Sequence, residues 1–240
     1  MANKGNKKTN PQPAKQQHNV AATQTESKKT FTVSTKLVFL LGIISFLVYA
    51  NTLGNGYAVD DGSAITDNTI VTRGVSAIPE LLYTPYRKGI NLASNDLYRP
   101  LSLVMFAVEY QFFGLNPVPG HFMNVLVFCG CVILLFLFLD LLFERKKTAV
   151  AFVAALLFAL HPIHTEVVAN IKSRDELLCF FFAFLSLYLF IKYIQSKRII
   201  LLMEGMLCFF LSILAKETAY TFLAIVPMVF FFLPQREQEG

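Results

Sequence analysis

Long apolar runs alternate with short polar breaks along most of the chain. Leu37–Leu53, Phe122–Phe143, Leu177–Ile194 and Ile199–Ala215 are almost free of charge. Their lengths suit a bilayer crossing, which takes about 20 residues of helix within a range of roughly 17–25. Two further runs are shorter: Thr148–Leu160, which stops at His161-Pro162, and Ala219–Leu233, which contains Pro227. Runs that short also suit re-entrant or buried helices. The pattern predicts an all-α, polytopic membrane helix bundle of about six helices, four of them indicated by length alone. Between the first two runs lies a long polar loop, residues 54–119. Within it Leu101–Phe113 is an apolar island, opened by Tyr98-Arg99-Pro100 and broken by Ser102, Glu109 and Gln111. Proline suits a first helical turn, so the island predicts an interfacial helix lying in the membrane surface.

Composition agrees with this class. Charged residues make up 15% of the chain, against about a quarter in soluble domains. The placement of charge then orients the bundle, because basic segments stay in the cytoplasm. Seven lysines precede the first run, and Arg145-Lys146-Lys147, Lys192, Lys197-Arg198 and Arg236 fall in alternate connections. With all six runs spanning, 14 of the 21 basic residues lie on one side. Only the six-span count alternates in this way, so charge supports the two short runs. Residues 54–119 and 161–176 are then extracytoplasmic, and 1–36 form a basic cytoplasmic tail, polar enough to be disordered. Small residues at Val48-Tyr49-Ala50 resemble a cleavage site, but the long polar lead and full-length apolar run favour a signal anchor. The net charge of +5 comes mostly from that tail and the inside connections. It therefore speaks for membrane orientation and against a nucleic-acid partner. Cys129, Cys131, Cys179 and Cys208 all fall inside apolar runs, and Cys129-Gly130-Cys131 has the wrong spacing for a zinc knuckle.

The extracytoplasmic segments carry the candidate chemistry. Asp60 and Asp61 are adjacent, just past the first run, in Gly56-Tyr57-Ala58-Val59-Asp60-Asp61-Gly62. Partial desolvation and a like-charged neighbour favour the protonated form of a carboxylate. Such a pair can take a proton from an attacking hydroxyl; a solvated Asp-Gly turn is the plainer alternative. Arg99 stands where lipid phosphates would lie, as a ligand or as an ordinary snorkelling arginine. His161, His164 and Glu166 could supply three metal ligands, but Pro162 disturbs the helix and no second ligand cluster exists, so hydrogen bonding at a helix end or to substrate is the better reading. No cofactor is assigned from the sequence, and a divalent metal stays an unsupported alternative. Lys172, Arg174, Asp175 and Glu176, with Lys216 and Glu217, sit at helix junctions on the same side, where charged residues in membranes tend to be functional. Mutual neutralisation is the alternative for each cluster. Together they describe a polar chamber above a lipid-facing bundle.

The succession Val59-Asp60-Asp61, Tyr98-Arg99-Pro100-Leu101, His161-Pro162-Ile163-His164-Thr165-Glu166, Ser173-Arg174-Asp175-Glu176-Leu177-Leu178 and Ala215-Lys216-Glu217 resembles the start of the GT-C glycosyltransferases. It is most similar to the transmembrane O-mannosyltransferases that carry C-terminal tetratricopeptide repeats, and to their bacterial relatives. The likeness covers residues 37 to 233, read as one transmembrane domain; 234–240 form a polar tail. The resemblance implies a polyprenyl- or dolichyl-phosphate sugar donor and a hydroxyl acceptor on a protein or glycan. It also implies residence in a bacterial inner membrane or the endoplasmic reticulum. An aspartate of the pair would be the catalytic base, Asp60 in preference to Asp61, with single displacement inverting the sugar. Arg99, Arg174 and Lys216 could neutralise the leaving phosphate, with His161, His164, Glu166 and Glu217 lining the donor site. Members of that family have more membrane helices, so a fragment or non-catalytic scaffold is a second reading. A transporter or flippase subunit is a third, though no inverted repeat is visible.

Overall fold

The structure, a computed structural model, describes residues 34–90 and 97–236. The disordered tail expected over 1–36 thus lies outside the described residues up to position 33, as do residues 237–240 of the expected polar tail. Among the described residues there is no strand. The principal helices are α1 (Ser34–Gly54), α2 (Pro100–Phe113), α3 (Pro117–Leu142), α4 (Thr148–Leu160), α5 (His164–Ala169), α6 (Arg174–Ser196), α7 (Ile199–Ala215) and α8 (Phe222–Arg236). Every apolar run is helical, α4 and α7 with the bounds read from the sequence.

Three helical segments are long and apolar enough to cross a membrane: Ser34–Gly54, Pro117–Leu142 and Ile171–Ser196. α7, expected to qualify by length, has 17 residues. At 1.5 Å per residue it is about 26 Å long, at the lower end of the range for a crossing helix. It stops because Lys216 is extended, with φ −160° and ψ 145°, and the chain turns into a short 3₁₀ segment, Glu217–Thr221. α8 runs through Pro227 without interruption. Left-handed residues reverse the chain at the opposite end of the bundle: Glu144 and Arg145 between α3 and α4, and Lys197 between α6 and α7.

α6 packs against α3, α7 and α8. Phe138, Leu141, Leu187, Ile191 and Ile194 form a buried layer, and Gly205 lets α7 close on the Phe190 ring. The outward faces keep large apolar side chains in the open, including Phe39, Leu47, Leu157, Met203 and Met206. An apolar surface this extensive suits lipid rather than water.

The loop between α1 and α3 folds into short helical turns with a core of their own. Ile70, Val71, Leu81 and Tyr86 pack there on Leu103, Phe106 and Ala107 of α2. The helix expected to lie in the membrane surface therefore has one face committed to the loop core. Its far end leaves Phe112 and Phe113 exposed.

Candidate functional site

The segment carrying the paired aspartates is tied down around its acids. Asp61 is fully buried; one carboxylate oxygen accepts the Ala58 N–H at 2.7 Å and the other accepts the Lys172 N–H at 2.7 Å. Upstream, His121 Nε2 lies 3.2 Å from the Gly56 carbonyl. Because the imidazole faces a carbonyl there, Nε2 must carry the proton. Asp60 is exposed. Its backbone carbonyl accepts the Ser63 hydroxyl at 3.1 Å, and no hydrogen bond or ion pair among the described residues engages its carboxylate. The two neighbours thus differ: one acid is a strut and the other is available.

The cations gather close by, already paired. Arg99 is buried and bridges three elements: Nη1 donates to Asp175 at 2.7 Å, and Nε and Nη2 together clasp the Glu217 carboxylate, the former at 2.9 Å. Burial disfavours the charged guanidinium, but the bonds to Glu217 and Asp175 outweigh it and hold Arg99 above its ordinary pKa. The bond from Arg99 in turn holds Glu217 below the usual glutamate value, against the opposing effect of burial. Arg174 is completely enclosed. It donates to Asn124 Oδ1 at 2.9 Å, to the Gly120 carbonyl at 2.9 Å and to Glu109, and lies 4.7 Å from the Phe106 ring centre. Gly120 also lets Ile171 pack close against α3, since a Cβ there would stand 2.9 Å from the Ile171 side chain. Lys216 pairs with Glu176.

His161 is exposed, with Nδ1 accepting the Ile163 N–H at 3.2 Å. His164 is half-buried, its ring 4.2 Å from Phe158 and 5.5 Å from Phe128. Burial, and then the nearby His161, push its pKa below the ordinary histidine value, so His164 is neutral at physiological pH. Glu166 is exposed. Among the described residues no three His, Cys, Asp or Glu side chains converge as a metal site requires. Beside His164 a cavity of about 250 Å³ opens between α3, α4, α5, α6 and the start of α8 with the turn before it. Phe128, Phe158, Phe180 and Phe222 wall it, and His164, Glu176, Thr218 and Thr221 edge it.

The fold therefore joins Asp61, Arg99, Arg174 and Glu217, with Lys172 and Asp175, into a connected polar layer at one end of the bundle. His164 and Glu176 belong to the cavity, while Glu166 stands apart on the surface. Several members of the layer were not singled out from the sequence: His121, Asn124 and Glu109. Asn124 is fully buried, and its amide reaches the Asn170 carbonyl at 2.9 Å. The available signal was an amide inside an apolar span, which is costly unless partnered.

No family model matches the chain, and no solved structure matches it. Known proteins do. Over 187 residues it is 31% identical to the protein O-mannosyl-transferase Tmtc1 of Drosophila melanogaster, covering 76% of this chain and 21% of that protein. Against human protein O-mannosyl-transferase TMTC1 it is 37% identical over 153 residues, 61% of this chain and 17% of the other. Against protein O-mannosyl-transferase F38B6.6 of Caenorhabditis elegans it is 30% identical over 189 residues, 75% and 26%. The chain spans about a fifth of the length of the curated relatives it matches. In sequence the chain is a relative of the protein O-mannosyl-transferases and resembles their N-terminal part, in agreement with the GT-C likeness of its motifs.

Proposed function

We propose that this chain provides the catalytic loop of a membrane glycosyltransferase. The enzyme moves a monosaccharide from a polyprenyl- or dolichyl-phosphate donor to a hydroxyl, in protein O-glycosylation on the extracytoplasmic face. The observation that carries the reading is the contrast between adjacent acids: Asp61 is buried and spent on two backbone N–H groups, while the exposed Asp60 carboxylate is uncommitted. In the reaction the acceptor oxygen attacks the anomeric carbon as its proton passes to Asp60. The bond from that carbon to the phosphate oxygen breaks, and the lipid phosphate leaves with the electron pair. One displacement inverts the sugar. General-base assistance of this kind contributes about 10²–10⁴ in rate.

His121 and Asp61 are positioning residues in this scheme. Arg174 is framework, because its guanidinium is enclosed and saturated by Glu109, Asn124 and Gly120. That leaves Arg99 and Lys216 as the cations with half-exposed partners, Glu217 and Glu176. Donor type is tested in membranes bearing the protein, supplied with a hydroxyl-bearing peptide and radiolabelled sugar on either a polyprenyl phosphate or a nucleotide. Transfer is expected from the lipid donor alone, with inverted anomeric configuration. Direct transfer from the nucleotide sugar, or retention, contradicts the scheme.

A further inference from the structure

We propose that the outward face of α7 is a docking surface for a further transmembrane helix, one that brings a single lysine or arginine to the level of Glu204. This is independent of the chemistry proposed at Asp60.

α7 lies along α6, which belongs to a segment long and apolar enough to cross a membrane. The two run in opposite directions: Gly205 stands against the Phe190 ring, and Ala215 packs with Leu178 and Cys179. Glu204 is therefore held beside the interior of a membrane helix. It comes five residues after Ile199, the first residue of α7, and so about 8 Å along the axis from the end marked by Lys197 and Arg198. Helical side chains lean toward the N-terminus, which shortens that distance. Glutamate's two-carbon stem nevertheless lacks the reach with which lysine and arginine snorkel.

The Glu204 side chain is exposed on the surface of the bundle, and no hydrogen bond or ion pair among the described residues engages its carboxylate. Other charged groups within the apolar helices have partners. Asp140 accepts the Thr148 hydroxyl at 2.7 Å, and the Lys192 ammonium lies 5.6 Å from the centre of the Tyr188 ring. An ionisable group at such a depth is costly unless it is paired. Its charge defines what the partner must carry: a cation, set at one depth.

The surrounding surface defines the partner's shape. Ile199, Met203, Met206 and Phe210 are each more than half exposed. Their spacing of 4, 3 and 4 residues makes an apolar seam of the kind that takes a second helix. Two of the four are methionines, whose flexible side chains adapt to a facing surface. A second copy of this chain fits poorly, because copies inserted the same way carry Glu204 at the same depth and would set acid against acid.

The test reconstitutes the whole chain in proteoliposomes with a single-span, leucine-rich probe helix bearing one lysine about one and a half turns from its end. Energy transfer between a dye on Ser196→Cys, in a Cys208→Ser background, and a dye on the probe reports association. The lysine probe should associate about three- to tenfold more tightly than the same helix with leucine in that place. A lysine at the middle of the probe should do no better than leucine. Glu204→Gln should erase the preference, and Glu204→Asp should keep part of it. Glu204→Lys should reject the lysine probe and accept one with glutamate at the same depth. Because the side chain is exposed, all three variants should melt like the parent; a lower melting temperature would make Glu204 a structural residue and count against the proposal. Equal association of the leucine and lysine probes, or a lysine preference that survives Glu204→Gln, would overturn it. So would energy transfer between two labelled copies of the chain that Glu204→Gln abolishes, since the face would then serve self-association.

Discussion

The Asp61 carboxylate and the Lys172 backbone N–H lie 111 positions apart in sequence and meet at 2.7 Å. That bond fastens the loop after α1 to the turn before α6, and the other carboxylate oxygen accepts the Ala58 N–H at 2.7 Å. Asparagine at 61 keeps the volume but turns one acceptor into a donor facing an N–H. Leaving a buried donor unmatched costs about 1–3 kcal/mol. Asp61→Asn should therefore lower the unfolding temperature in detergent, while Asp60→Asn, at an exposed position, should leave it unchanged. Equal stability of the two variants would remove Asp61 from its positioning role.

Arg174 should behave as framework. Its removal strands the Glu109 carboxylate and the Asn124 carbonyl oxygen in a nearly closed space. Breaking a buried pair from one side costs about 3–5 kcal/mol. Arg174→Met should fold poorly, and the double variant with Glu109→Met should recover most of the loss in thermal unfolding. Wild-type stability of Arg174→Met alone would contradict the assignment.

The Arg99–Glu217 clasp predicts a pH dependence. Glu217 has a folded pKa below its unfolded value, so its stabilisation is fully present above about 4.3, the ordinary glutamate value. It fades as pH falls through the lower folded value. Parent and Glu217→Gln should differ in melting temperature at neutral pH and converge in strong acid. A difference that persisted in acid would mean that the carboxylate charge is not what closes the clasp.

Orientation is open to direct measurement. Cysteine placed at Ser76 in the loop before α2, or at Ser196 at the end of α6, is exposed in the fold. In a Cys208→Ser background the other native thiols are buried. An impermeant maleimide applied to intact cells or sealed vesicles should label Ser76→Cys from the extracytoplasmic face and Ser196→Cys only from the cytoplasmic face. The reverse pattern would invert the bundle.

Much of this was legible along the chain because a membrane helix announces itself through composition. The run Thr148–Leu160 ends where Pro162 prevents continuation, and the helix has those bounds. Charge at helix junctions marked Arg99, Arg174, Lys216 and Glu217, but it could not say who pairs with whom. Arg174 reaches Glu109 and Asn124 across 65 and 50 positions, and no local pattern encodes partners so distant. Residue type and local pattern do not separate Asp60 from Asp61; only the family resemblance ranked Asp60 first. Identical neighbours acquire different roles only when Lys172 arrives from the far loop to claim one of them. Both bounds of α7 were readable, whereas the extended backbone of Lys216 and the 3₁₀ turn Glu217–Thr221 that follows it were not.

The central claim is that Asp60 accepts the proton of the attacking hydroxyl. Its most direct measurement is single-turnover sugar transfer from a polyprenyl-phosphate donor by membrane-embedded parent, Asp60→Asn and Asp61→Asn proteins, at equal abundance and with donor binding checked. The amide keeps the shape of the carboxylate but cannot take the proton, so Asp60→Asn should slow transfer by about 10²–10⁴ with donor binding intact. Asp61→Asn should slow it less and lower stability. Parental turnover by Asp60→Asn, with Asp61→Asn the inactive protein, would contradict the account.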